Sequence, residues 1–296
     1  MQKILVILGP TATGKSNLAV KLAKKYNGEI ISADSRQVYK GLNIGTGKIT
    51  KKEMLGIPHH MLDVISPKKV FSVSGWQKQT KKIIADIISR GKLPIICGGT
   101  GFYIQSIVES AVLPEVPPNK LLRKKLEKNG LEDLQKILAK LDVRRFSNID
   151  IKNPIRLIRA IEIATYLGSV PKIKKQKNQY KFLQIGLILP NDELKEKIYN
   201  RLFSRIKRGM IKEAENLHKD GLSWKRMREL GLEYRYLAYY LKKRLSKLEF
   251  IKKLETEIWH YAKRQMTWFK KDKKIKWFKP NQIKEIEKLV TIFVDY

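Results

Sequence analysis

Acidic residues are scarce in this chain: 28 Asp and Glu stand against 62 Lys and Arg, a formal net charge of +34. Cysteine is scarcer still, with Cys97 alone. One cysteine excludes a disulfide framework and fits a reducing compartment, so a cytoplasmic location is expected. Four scattered histidines beside that cysteine leave no set for a structural zinc site. No apolar run approaches the roughly 20 residues that a membrane-spanning helix needs, so no membrane partner is expected. The first residues run directly into a strand-like segment, and no leader peptide is expected. No internal repeat is visible. What is present is a chain of 296 residues with 43% hydrophobic content, enough for a sizeable core in one or two domains.

A positive excess this large repels itself, and a polyanion relieves it. It is also spread out. Residues 119–181 carry 17 Lys and Arg against 6 Asp and Glu, and residues 241–279 carry 14 against 4. A small phosphate ligand needs only a local cluster, so this distribution points to nucleic acid.

The sharpest motif is Gly9-Pro10-Thr11-Ala12-Thr13-Gly14-Lys15-Ser16. It follows an apolar run, Lys3 to Leu8, and precedes an amphipathic stretch, Asn17 to Lys25. Strand, glycine loop and helix with the spacing G-x-x-x-x-G-K-[ST] build an anion site, because loop amides and the helix N-terminus converge on one point. Lys15 adds a mobile cation, and the Ser16 hydroxyl can ligate Mg²⁺. The expected ligand carries a diphosphate or triphosphate.

Leu5–Leu8, Glu29–Ser32 and Leu93–Cys97 read as short buried strands, and Asn17–Lys25 and Ser74–Ser89 as helices. This is the α/β pattern of a parallel sheet flanked by helices, here P-loop NTPase-like. The proline cluster Leu113–Pro118 ends it. Helical periodicity follows over Leu121–Asn129 and Leu131–Lys140, then from Asn153-Pro154 through Leu167, with a polar loop at Lys172–Gln179. A further buried strand, Phe182–Leu189, then appears. Residues 117–178 therefore read as an all-helical insertion in an α/β core made of 1–116 and 179–296. From Asp192 onward the chain reads as helical.

Asp34 ends the run Glu29–Asp34, where parallel sheets place reactive groups. Three readings stand open: a Mg²⁺-holding carboxylate, a general base, or a cap on the following turn. Gly98-Gly99-Thr100-Gly101 ends the next strand, and Thr100 is the one residue there with a hydrogen-bonding side chain. Phe102 and Tyr103 read as packing. Trp268, Phe269, Trp277 and Phe278 read as core aromatics. Arg205 and Arg208 share a helix face. His59 and His60 diverge in direction and read as structural rather than metal-binding.

These blocks resemble the tRNA dimethylallyltransferases (tRNA isopentenyltransferases). The resemblance rests on Gly9–Ser16, Asp34–Lys48, Pro58–Asp63, Gly98–Tyr103, Asn153–Glu162, Gly231–Tyr234 and Tyr261–Phe269, in order over nearly the whole chain. It implies transfer of a dimethylallyl group from dimethylallyl diphosphate to N6 of adenosine 37 in tRNA, with pyrophosphate leaving and Mg²⁺ as cofactor. Asp34 matches the family's general base. Thr100 matches a position beside the target nucleotide. Gly9, Pro10, Thr11, Ala12, Thr13, Gly14, Lys15 and Ser16 would hold the diphosphate, with Arg205. Asp34, Ser35, Arg36, Gln37, Thr100, Arg123, Arg156 and Arg159 would meet the tRNA anticodon stem-loop, the last three from the insertion. This chain has Lys207 where the family often carries an acid. The other function classes are a small-molecule P-loop kinase, a P-loop ATPase that binds nucleic acid, and a prenyltransferase of free adenine nucleotides. A monomer is the default expectation.

Overall fold

Five consecutive residues, Ile4 to Leu8, are fully inaccessible to solvent. They form most of β1 (Gln2–Leu8), the strand around which the sheet is built. An apolar run without alternation has both faces covered, as in a parallel sheet between helix layers. The computed structural model describes residues 1–295, without the side chains of residues 174 and 175. After β1 come α1 (Lys15–Lys25), β2 (Gly28–Ser32), α2 (Lys51–Met54), β3 (His59–His60), α3 (Val73–Ser89), β4 (Leu93–Gly98) and α4 (Gly101–Val108).

The chain divides into two compact units, one of Met1–Glu109 with Lys177–Tyr296 and one of Ser110–Gln176. The smaller unit holds β5 (Ala111–Val112), α5 (Lys120–Leu126), α6 (Leu131–Leu141), α7 (Val143–Phe146), α8 (Pro154–Leu167) and β6 (Lys174–Lys175). Its core is Leu126, Leu134, Leu138, Leu157, Ile161 and neighbours. Asn153 caps α8 through its side chain, with Pro154 in the first turn, as that dipeptide dictates. The expected all-helical character is corrected by the ribbon of β5 and β6, which pair antiparallel. That ribbon also moves the unit's start to Ser110, ahead of the proline cluster. Two-residue strands leave no periodicity to read.

The larger unit continues with β7 (Tyr180–Leu187), α9 (Asn191–Lys207), α10 (Met210–Lys219), α11 (Trp224–Glu229), α12 (Leu232–Leu241), α13 (Lys247–Phe269), β8 (Lys276–Phe278) and α14 (Ile283–Asp295). Its six strands lie in the order β3-β2-β4-β1-β7-β8. Every pairing in this sheet is parallel. Ile4, Val6, Leu8, Ile31 and Ile96 face one layer, packed with residues of α3, α4 and α9 to α13. Leu5, Ile7, Ile30, Ile95 and Ile185 face the other, covered by α1 and α14. Each such side chain contributes roughly 1.5–3 kcal/mol. The expectation of helix throughout from Asp192 is corrected by β8, too short and lysine-rich to read as a strand but paired along Ile185–Leu187. Among the described residues no helix is long and apolar enough to cross a membrane.

Glu29 is a carboxylate inside this fold, 2% exposed. It accepts hydrogen bonds from Arg90 at 2.5 and 2.9 Å and from Lys92 at 2.7 Å, and lies 2.8 Å from Nε2 of His60. His60 is thus structural, as is His59, whose Nδ1 lies 2.8 Å from the Ile57 carbonyl. Arg90 foremost, against the opposing effect of burial, holds Glu29 far below its ordinary pKa. The resulting stability is therefore present above the usual carboxylate range and is lost as pH falls through and below it. Glu29→Gln is expected to cost about 2 kcal/mol at neutral pH. It should also flatten the acid limb of a denaturation series run from pH 7 downward.

Candidate active site

At the C-terminal edge of the sheet, the loops after β1, β2 and β4 meet residues of α9 and α13 around a cavity of about 540 Å³. Gly9 opens the first loop at φ 139°, where an added Cβ would lie 2.5 Å from the Leu187 carbonyl oxygen, so no other residue fits. Thr11, Ala12, Gly14, Lys15 and Ser16 line the cavity. Gly9, Pro10 and Thr13 do not. Thr13 is buried and its hydroxyl donates to the Pro10 carbonyl at 2.9 Å, so it shapes the loop from beneath. Lys15 Nζ donates to the same carbonyl at 2.5 Å. Desolvation lowers its pKa to about 8, with Arg201 adding repulsion.

Asp34 lies just past β2 and lines the cavity. Its Oδ1 accepts from the backbone N–H of Arg36 at 2.8 Å and of Gln37 at 3.3 Å. Among the described residues nothing hydrogen-bonds Oδ2. Capping and chemistry are therefore compatible: one oxygen fixes the turn and the other is left for a ligand. Thr100 does not line the cavity. Its Oγ1 accepts from the Ser35 N–H at 3.1 Å, and its own N–H donates to Ala33, so it holds the Asp34 segment through the backbone. Ser35, Arg36 and Gln37 line the cavity beside Asp34.

Helix α9 brings a basic stripe of Lys197, Arg201 and Arg205, continued by its C-cap Arg208, and all four line the cavity. Arg205 is 3% exposed, and its Nη1 donates to Gly45 O at 2.7 Å and to Glu233 at 3.1 Å. The side chain that reaches the glycine loop is Arg201, bonded to Thr11 Oγ1 at 3.0 Å and to Gly47 O at 3.2 Å. Burial first, and Arg205 second, lower its pKa to about 10. Arg201 was not singled out in the sequence, although its i, i+4 spacing from Arg205 was a readable signal.

Gln265 was also missed as an individual residue. It is buried on α13, accepts from the Thr11 N–H at 2.9 Å and donates to the Gly99 carbonyl at 2.8 Å. It ties two catalytic-edge loops together. Glu213 does the same for the Asp34–Lys48 block, accepting from the N–H groups of Asn43, Ile44 and Gly45 and from the Tyr234 hydroxyl. Tyr261 lines the cavity, its phenol pushed above its ordinary pKa by burial and then by Asp34. Cys97 does too, but burial pushes its thiol up to about 12, which removes nucleophilic character.

In the smaller unit, Arg123 grips Glu162 with two bonds of 2.8 and 2.6 Å. Arg159 also binds Glu162, and its Nη2 donates to Val116 O at 3.0 Å. Burial opposes ionisation of Glu162, and these two guanidiniums overcome it, leaving its pKa lowered. Arg156 pairs with Asp150 at 3.3 Å and stays 57% exposed. The packing assigned to Phe102 and Trp268 is corrected: each is 39% exposed, and their rings meet edge to face at 6.4 Å. Tyr103 and Phe269 are buried as expected.

A parallel sheet with a P-loop motif, a carboxylate and a cationic helix at its C-terminal edge defines a P-loop-like protein of the α/β class. The family model described as IPP transferase matches residues 37–272, and the chain belongs to that family. It is 45% identical over 275 residues to tRNA dimethylallyltransferase 2 of Treponema denticola, spanning 91% of this chain and 92% of that protein. It is 41% identical to the tRNA dimethylallyltransferase of Caldanaerobacter subterraneus subsp. tengcongensis, over 99% of this chain and 97% of the relative. The crystal structure of the full-length tRNA isopentenylpyrophosphate transferase from Bacillus halodurans superimposes with a TM-score of 0.76 at 34% identity, covering 100% and 97% of the two chains. A eukaryotic dimethylallyltransferase acting on tRNA aligns with a TM-score of 0.75 at 26% identity, covering 91% of this chain and 70% of that one.

Two measurements test this geometry. Pyrophosphate affinity, followed by calorimetry, should weaken by up to about tenfold per pH unit above pH 8 as Lys15 deprotonates, and Lys15→Met should remove that dependence. Gln265→Leu leaves the Thr11 amide and Gly99 carbonyl without partners, and should lower unfolding free energy by about 1–3 kcal/mol.

Proposed function

We propose that this protein transfers the dimethylallyl group of dimethylallyl diphosphate to N6 of adenosine 37 in tRNA, releasing pyrophosphate. The observation that carries this reading is Asp34, with Oδ1 tied to two backbone amides and Oδ2 left for a ligand in the cavity that also holds the phosphate loop. The diphosphate lies against Thr11, Gly14, Lys15 and Ser16, with Arg201 and Arg205 opposite. Ile49, Leu232 and Ile258 line the same cavity and offer apolar surface to the five-carbon group. Ser35, Arg36 and Gln37 receive the target nucleotide.

An exocyclic adenine amine is a weak nucleophile because its lone pair is delocalised. As the N6–C1 bond forms and the C1–O bond breaks, the electron pair of that bond leaves with pyrophosphate. Asp34 Oδ2 accepts the amine proton. Lys15, Arg201 and the loop amides are oriented donors for charge that grows on the leaving oxygen. The same carboxylate lies near the allylic carbon as it gains positive character. Thr100 and Gln265 are positioning residues, acting through Ser35 and through the two glycine loops.

The donor set fits Mg²⁺ held chiefly by substrate oxygens. Among the described residues no three His, Cys, Asp or Glu side chains group as a metal cage, while Ser16 lines the cavity. Mg²⁺ would neutralise charge on the leaving diphosphate. The anticodon stem-loop is the RNA element recognised, with Arg156 the most available of the three arginines in the smaller unit. The protein works as a cytoplasmic monomer.

The test combines purified protein, Mg²⁺, labelled dimethylallyl diphosphate and unmodified tRNA. Label should enter tRNA without ATP. Transfer only to free AMP or ATP, or ATP consumption without transfer, refutes the proposal. Asp34→Ala is expected to lower turnover by about 10²–10⁴-fold. Its pyrophosphate affinity should stay within a few-fold of the parent, because Asp34 makes no bond to the phosphate loop.

A further inference from the structure

We infer that the lysine run Lys270, Lys271, Lys273, Lys274, Lys276 and Lys279 is a second RNA-binding surface, contacting phosphates of the tRNA outside the catalytic cavity. The inference rests on the proposed function and adds a surface to it. Six lysines and one acid occupy these ten residues. All six lysines are exposed, and among the described residues none forms an ion pair. The one acid, Asp272, is already engaged: it accepts from Gln184 Nε2 at 2.8 Å and from the Lys274 N–H at 2.9 Å.

Cations that neighbour one another in the run repel, over a screening length of roughly 8–10 Å in physiological salt. Protection of a sheet edge accounts for one of them. Lys276 sits on the edge strand β8, where a charge deters strand addition. Lys270, Lys271, Lys273 and Lys274 precede the strand and guard no edge. The segment is nevertheless held in place. Ile275 is buried, and Trp277 packs so closely on β7 that a Cβ added to Gly186 would lie 2.5 Å from its ring. The lysines therefore project from a fixed backbone rather than from a solvated tail.

The run also adjoins the catalytic edge. Lys271 and Asp272 line a second cavity, of about 350 Å³, with Gly101 and Trp268. Gly101 follows Thr100, whose hydroxyl holds Ser35 beside Asp34. Exposed ring surface at Phe102 and Trp268 followed by unpaired cations is the pattern of a nucleic-acid track. An anionic membrane fits less well, because the apolar residues of the run face inward and leave nothing to insert. The match to the family model ends at residue 272. Lys273, Lys274, Lys276 and Lys279 thus lie beyond it.

The experiment uses the full protein carrying Lys273→Gln, Lys274→Gln, Lys276→Gln and Lys279→Gln together, beside the parent and the same four positions changed to Arg. Binding of unmodified full-length tRNA is titrated across a salt series. With each of the four lost phosphate contacts contributing about 0.7–0.9, the log–log salt slope of the Gln variant should become shallower by about 3–3.5. The Arg variant should keep the parent's slope. Turnover at saturating tRNA, pyrophosphate affinity and melting temperature should match the parent in both. A Gln variant with the parent's slope and KM for tRNA overturns the inference, as does loss of binding to phosphatidylserine vesicles with tRNA binding intact. A parent that transfers no label to tRNA would instead sink the proposed function.

Discussion

One primary amide, that of Gln265, holds the catalytic edge together. Its two hydrogen bonds join the loop after β1 to the loop after β4, although Thr11, Gly99 and Gln265 are far apart in the chain. Without that link the phosphate loop and the Thr100 segment are separate loops on adjacent strands. Thr100 in turn fixes Ser35, and Asp34 is fixed by its own turn. Glu213 completes the frame by binding three successive amides of the Asn43–Gly45 loop. Asp34 thus sits in a frame tied together by side chains from α10 and α13.

The cavity is cationic without an equal number of acids. Burial lowers the pKa values of Arg201 and Lys15 to about 10 and about 8, with Arg205 repelling the first and Arg201 the second. A diphosphate placed between them reverses that cost and draws both toward full protonation, so anion binding and proton uptake are coupled. The arginines of the smaller unit differ in kind. Arg123 and Arg159 neutralise Glu162, Arg123 fastening α5 to α8 and Arg159 holding the Val116 carbonyl, which makes them structural first.

Much of the fold was legible because its signals are local and strong. Buried runs announce parallel strands, the glycine motif marks its own loop, and Asn153-Pro154 announces a helix start. What escaped was short or cooperative. β3, β5, β6 and β8 have two or three residues each and exist because a neighbour supplies the partner strand. In the site, the placing of Asp34 and the glycine loop at strand ends was readable from the apolar runs before them. Arg201 and Gln265 were not, because an arginine on a basic helix and a glutamine in a long one look like surface residues until tertiary packing buries them. Thr13 and Thr100 went the other way: the resemblance implied ligand contact, and their hydroxyls bond backbone groups.

The position of β1 in the sheet bears on how the protein is made. Residues 2–8 are made before either of their partners, residues 93–98 and residues 180–187. This buried strand must wait until residues 180–187 are made before both its edges are satisfied. Such non-local pairing folds slowly and leaves unpaired edges exposed meanwhile. Competence for catalysis comes later still, when α13 emerges and Gln265 closes the two loops. Nascent chains that stop short of it would carry a phosphate loop with nothing to hold it against its neighbour.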